Sequence, residues 1–256
     1  MLRTKVAVVT GGARGIGLAL SKALVDHGAS VVMMGRDAET LEKAATDLGE
    51  QAFPMAVDIS EPEAVRSAFA RIDERFATVD ILVNNAAIGW PHRIEQVTDE
   101  ELRIEVGTNV LGPIHTIRSA VPLLRRSTDP HIVNISSDST RDPFPYLLVY
   151  AATKSALETL SKGLAAELRP DGIRVTLLMV GQTEGGEFRF HWDADRRAEA
   201  EGAWEALGYK QRVSGGPVGQ PAERVAEALV YAVTRPRGSV VGEITVRAHS
   251  GVTLDS

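Results

Sequence analysis

Tyr150 and Lys154 stand four residues apart in the run YAATK, and Ser137 lies thirteen residues before the tyrosine. A helix completes a turn in about 3.6 residues, so side chains at i and i+4 leave one face and set phenol beside ammonium. Such a pair is a proton donor. A free phenol titrates near pH 10, and a fixed positive charge beside it favours the phenolate and lowers that value. Reaching about 7 takes roughly 4 kcal/mol, more than one exposed ammonium supplies. A second positive charge, such as an oxidised nicotinamide ring, would add to it. The chemistry therefore asks for a dinucleotide site elsewhere in the chain.

The first strand supplies one. KVAVVT, residues 5 to 10, is a β-branched run that ends in the glycine cluster TGGARGIG, Thr10 to Gly17, and LALSKALVDHG follows with apolar residues at helical spacing. Gly11, Gly15 and Gly17 let the backbone turn sharply, and with Arg14 and Ile16 they would bring N–H groups to a pyrophosphate at a helix N-terminus. The bland reading of the same glycines is a tight connection. The second strand, SVVMMG, ends at Gly35, where a domain built for NAD carries an acid for the ribose hydroxyls. Here Gly35 is followed by Arg36. A guanidinium offers forked donors to a 2′-phosphate, and Arg14 could reach the same group, so the expected cofactor is NADP(H). The competing reading makes Arg36 and Asp37 the solvated start of the helix DAETLEKAATDLG.

TGGARGIG, NNAA at Asn84 to Ala87, Asn109, the ISS of residues 135 to 137 and YAATK resemble, in order and spacing, the short-chain dehydrogenase/reductase family. The likeness runs from the first strand to at least GIRVTLLMV. It implies that Tyr150 is the general acid or base, that Lys154 binds the nicotinamide ribose and depresses the tyrosine pKa, and that Ser137 hydrogen-bonds the substrate carbonyl. By the same resemblance Asn109 belongs to a water relay toward the lysine. Asp58 contacts the adenine, and Ile16, Ile59, Asn85 and Ala86 line the cofactor. Residue chemistry alone leaves Asn84 and Asn85 as turn residues and Asp58 as a cap for EPEAVRSAFARIDERF.

The chain departs from the family pattern after its sixth strand, where Val180-Gly181 replaces a Pro-Gly pair and Gly185 stands where a threonine often contacts the nicotinamide amide. Thr183 is the compensating candidate. Residues 181 to 219, glycine-flanked with an amphipathic centre, are expected to form a substrate loop or lid. Phe188, Phe190, Trp192 and Trp204 are available there to cover an apolar ligand or simply to pack. Trp90, His92, Asp138, Arg141, Tyr146 and Phe188 are expected to border the pocket. Arg141 is balanced by Asp142 beside it, and His92 reads as a surface histidine rather than a second proton shuttle.

Strand and helix patterns alternate from Lys5 to Val180 over near-continuous apolar strands such as DILVN and HIVNIS. This order predicts a single-domain α/β fold over residues 1 to 256. The expected form is a Rossmann-type, doubly wound parallel sheet of about seven strands, helices on both faces and a site beyond the C-terminal strand ends. Twenty-eight basic against 34 acidic residues give a net charge of −6, with the signs interspersed and no basic nucleic-acid footprint. No apolar run approaches a membrane span and no signal peptide precedes the first strand, so a soluble, cytoplasmic protein is expected. Six scattered histidines and no cysteine predict no metal. In proteins the chain resembles, the helix over residues 155 to 168 and one near residues 100 to 125 pair between subunits, which implies a homodimer or homotetramer.

These features together predict an NADP(H)-dependent oxidoreductase acting on a small carbonyl or alcohol. Epimerisation, dehydration and imine or enoyl reduction are alternatives on a related scaffold. A non-catalytic dinucleotide sensor is the alternative from another class.

Overall fold

In the computed structural model, residues 1–184, 188, 191–209 and 219–248 are described. Seven strands form one parallel sheet: β1 Val6–Thr10, β2 Ser30–Gly35, β3 Ala52–Ala56, β4 Ile81–Asn84, β5 His131–Ser137, β6 Arg174–Val180 and β7 Glu243–Val246. Their spatial order is β3-β2-β1-β4-β5-β6-β7. The sequence reverses direction across the sheet between β1 and β4, which opens a crevice at the C-terminal strand ends where TGGARGIG and NNAA meet.

Alternation along the strands sorts the core into two layers. Ala7, Val9, Val31, Met33 and Val83 face the helices α1 (Gly15–Asp26) and α2 (Ala38–Leu48) and a C-terminal helix, Ala222–Val233. Val8, Val32, Leu82 and Ile132 face α3 (Pro62–Phe76) and the helix Gly112–Leu124 on the other side. The helix expected near residues 100 to 125 is two helices, α4 (Asp99–Val106) and α5 (Gly112–Leu124), separated by a π turn at Gly107–Leu111. There the Gly112 N–H reaches back five residues to the Gly107 carbonyl, a widened turn. Among the described residues the remaining α-helices are α6 (Leu148–Glu167), α7 (Ala194–Ala206) and α8 (Ala222–Val233).

The edge strand β3 holds Pro54 opposite Met33. Val31 donates to Gln51 and Val57 to Gly35, so the odd-numbered residues of β3 turn their N–H groups toward β2 and the proline nitrogen faces outward. Among the described residues no helix is long and apolar enough to cross a membrane.

Candidate active site

The glycine turn is held by contact with the end of β4. The Thr10 hydroxyl accepts from the N–H groups of Asn85 and Ala86, both at 3.0 Å, and Asn85 Nδ2 donates to the Thr10 carbonyl at 2.9 Å. A Cβ on Gly17 would stand 1.9 Å from the Gly11 carbonyl oxygen and 2.6 Å from Asn85 Nδ2, so only glycine fits that position. Helix α1 starts after Arg14 with no side chain capping it and no acid in its first turn. By contrast, Asp37 caps α2 and Thr98 caps α4. The free N–H groups and the positive end of the α1 dipole are what a pyrophosphate needs, so the residues fit a dinucleotide.

Arg14 crosses to the end of β2, with Nη2 2.6 Å from Asp37 Oδ2 and 2.6 Å from Thr40 Oγ1. Arg36 is exposed beside it. Asp37 is thus the cap of α2, and the guanidiniums of Arg14 and Arg36 border the same end of β2. Asp58 does not cap α3. Its Oδ1 accepts from the N–H and hydroxyl of Ser60 at 2.9 and 2.7 Å, while Ile59 is buried and its carbonyl lies 3.1 Å from His115 Nδ1. Asn84 is a buried structural residue, donating to Asn134 at 2.9 Å and accepting from Thr116 at 2.6 Å.

Ser137 ends β5 and Tyr150 lies in the first turn of α6, so strand end and helix face converge and set the Ser137 hydroxyl near enough to the phenol to act on its titration. One turn on, Lys154 is 2% exposed, and its Nζ donates to the Ile135 carbonyl at 2.8 Å and lies 5.8 Å from the centre of the Tyr150 ring. Burial pushes the lysine down to about 8. The phenol is not depressed by its neighbour, contrary to the expectation from the motif. Burial raises it above its ordinary value, and the carboxylates of Asp138 and Glu105 add to that, against the lowering effect of the nearby Ser137 hydroxyl. Desolvation disfavours the phenolate more than the protein's own groups favour it. Ser136, the other serine of the pair, turns inward and donates to Glu158 at 2.9 Å.

Asn109 projects from the π turn. Its Nδ2 donates to the Ile88 carbonyl at 2.7 Å and to Thr153 Oγ1 at 3.0 Å, and its Oδ1 accepts from the Ile88 N–H at 2.9 Å. It thereby fastens the strand-four loop to the residue next to Lys154.

The pocket residues divide. Phe188 lies over Tyr150, ring centres 4.7 Å apart, and Trp90 meets His191 edge-on at 5.3 Å. Asp138 is partly buried and its carboxyl is raised by that burial, with Arg247 acting in the opposite sense. Arg141 points elsewhere, to Glu243 at 3.0 Å and Glu158 at 3.8 Å. The Tyr146 hydroxyl donates to Glu199 of α7 at 3.0 Å. His92 is not a surface residue. It is 2% exposed and faces the fully buried Glu105 across 3.6 Å. Trp192 and Trp204 are core members of an aromatic cluster that also takes in Trp90, Phe144 and Phe188. The aromatics expected to cover a ligand therefore pack on one another. Gly185 and Phe190 lie outside the described residues.

At the departure after β6, the Gly181 N–H donates to the Val246 carbonyl at 2.8 Å, so β7 restrains the turn that lacks proline. Thr183 turns its hydroxyl back on the Gly181 carbonyl at 3.0 Å and pairs with Gln220. Sequence reasoning missed Thr10 and Glu105 as site residues. The signal for Glu105 is its place four residues before Asn109, on one helical face.

The family model described as short chain dehydrogenase matches residues 5–195. An uncharacterized oxidoreductase of Staphylococcus epidermidis is 29% identical over 251 residues, covering 96% of this chain and 98% of that one. A 3-ketoacyl-(acyl-carrier-protein) reductase from Brucella melitensis, solved with NADH, superposes with a TM-score of 0.82 at 30% identity, over 96% of this chain and 98% of its own. An alcohol dehydrogenase from Thermococcus sibiricus, solved with 5-hydroxy-NADP, gives 0.80 at 28% identity, over 98% and 99%.

Proposed function

The chain belongs to the short-chain dehydrogenase family, and from that premise we propose that it is an NADP(H)-dependent oxidoreductase that interconverts a carbonyl and an alcohol. The observation that carries the reading is the Ser137 hydroxyl at the strand end beside Tyr150, with the buried ammonium of Lys154 one helical turn below. A pair of hydroxyls can converge on one oxygen. Ser137 donates to it as negative charge develops, and Tyr150 delivers its proton. The nicotinamide, when bound, supplies the hydride. Lys154, held by the Ile135 carbonyl, keeps positive charge beneath the ring at neutral pH, and the same ammonium has donors left for a ribose hydroxyl.

Two of the similar structures hold NADP-type or NADH cofactors, which supports a nicotinamide dinucleotide here. Arg36 and Arg14, with no acid at Gly35, favour the phosphorylated form. Residues 181 to 219 form the substrate side in this reading, with Phe188 over Tyr150 favouring a carbonyl that carries an apolar group. A homodimer or homotetramer is also part of it, supported by Leu111, Ile114 and Leu148 exposed on and beside α5 and α6.

The test is NADPH oxidation against a panel of ketones and aldehydes, with Tyr150→Phe in parallel. Turnover in the parent that falls about a hundred- to ten-thousand-fold in the variant, with NADPH still bound, is expected from loss of a general acid. A folded variant that turns over at the parent rate sinks the assignment.

A further inference from the structure

Beyond the charge it sets against a Tyr150 phenolate, Glu105 has no place in the chemistry above, yet it is fully buried on the last turn of α4. Its Oε1 accepts from the Trp90 N–H at 2.9 Å. Among the described residues Oε2 has no partner, and neither has either ring nitrogen of His92. A buried carboxylate with an unpartnered oxygen is costly, so what it holds matters.

It holds one face of a single peptide group. The N–H of Trp90 and the carbonyl of Gly89 belong to the same planar unit and point in opposite directions. On the far side that carbonyl receives two donors from the segment that covers the site, Trp192 Nε1 at 2.7 Å and His191 Nε2 at 3.0 Å. One residue earlier, Asn109 grips Ile88 through both its backbone groups, and two residues later the His92 N–H donates to the Tyr146 carbonyl at 2.9 Å. A Cβ on Gly89 would lie 2.9 Å from Phe188 Cζ and 3.0 Å from Tyr150 Cδ2, so this glycine lets the covering ring and the tyrosine close on the backbone. Turning the peptide over would set a carbonyl against the carboxylate and leave two lid donors without an acceptor.

We propose that Glu105 is a positioning residue that fixes the Gly89–Trp90 peptide as the latch on which His191 and Trp192 dock, holding the covering segment over Tyr150. The idea rests on the function proposed above only for its kinetic consequence, because the docking itself is read without substrate.

All three tryptophans of the chain belong to this aromatic cluster, so tryptophan fluorescence, excited selectively, reports on it alone. Acrylamide quenching of the purified full chain is compared for the parent, Glu105→Gln, Glu105→Leu and Glu105→Met. The glutamine keeps an oxygen acceptor for the Trp90 N–H, whereas the apolar residues fill the volume and lose it. Quenching is expected to rise severalfold in Leu and Met and to stay within twofold of the parent in Gln. With a carbonyl substrate in hand, Leu and Met raise KM at least tenfold. Trp192→Phe does the same, and Glu105→Leu combined with Trp192→Phe is no worse than either alone. Unchanged quenching in Leu and Met overturns the proposal. So does equal loss in Gln and Leu, additive kinetics in the double variant, or unfolding of both apolar variants, which would make Glu105 a folding residue. Failure of the functional reading shows separately, as no Tyr150-dependent turnover beside an intact quenching pattern.

Discussion

Asn109 binds Ile88 at both of its backbone groups, carbonyl at 2.7 Å and N–H at 2.9 Å, from a π turn that interrupts the run of α4 and α5. A leucine at 109 would leave both groups partly buried without partners. At about 1–3 kcal/mol for each stranded group, Asn109→Leu is expected to lose about 2–6 kcal/mol in urea unfolding. Asn109→Asp keeps the acceptor and loses the donor, so it should fall between leucine and the parent. Equal stability of leucine variant and parent would show that the clasp carries no weight.

Lys154 titrates at about 8 in the fold against an ordinary 10.5. Between these values the unfolded chain binds more protons than the folded one, so stability rises with pH across that interval and the burial penalty is fully present below it. The gap corresponds to about 3 kcal/mol. Subtracting the pH-dependence of Lys154→Met unfolding from that of the parent isolates this rise. A flat difference from pH 8 to 10.5 contradicts the assignment.

His131 is fully buried on β5, with Nε2 2.7 Å from Thr176 Oγ1, and burial, with the nearby Arg174 charge, pushes it down to about 3. As pH falls below its ordinary 6.5, the unfolded chain takes up a proton that the fold refuses. Stability is lost at about 1.4 kcal/mol per pH unit until the folded value is reached. Acid unfolding of His131→Gln should therefore be less steep between pH 6 and 4 than that of the parent, as followed by circular dichroism at about half-unit steps.

Arg36→Asp sets a second carboxylate beside Asp37 at the end of β2. NADPH affinity is expected to fall at least tenfold while NADH affinity holds or improves, because a carboxylate repels a 2′-phosphate and accepts from ribose hydroxyls. Titration of both cofactors by fluorescence decides it. An unchanged ratio removes Arg36 from phosphate recognition.

The parallel sheet was legible because its strands are apolar on both faces. KVAVVT, SVVMMG, DILVN and HIVNIS appear as β1, β2, β4 and β5 within a residue or two of their sequence limits. β7 was not, since Glu243–Val246 is short and its residues are half-buried or exposed. The break between α4 and α5 also escaped. Its cause is a widened turn that costs one register step, and no periodicity marks that. Tyr150, Lys154 and Ser137 were placed by spacing, but the electrostatics were not, because the sign of the phenol's shift depends on how deeply it is buried. Glu105 in DEELRIEV reads as one more acid on a solvated face unless its place four residues before Asn109 is weighed. The packing of the loop after β4 against that face buries it.

The outward nitrogen of Pro54 has a bearing on how the molecule behaves in a crowd. A further strand laid along β3 would find no donor at that position and a ring in its path. The edge is therefore blunted on that side, where fibril-like stacking and exchange of strands between copies are disfavoured.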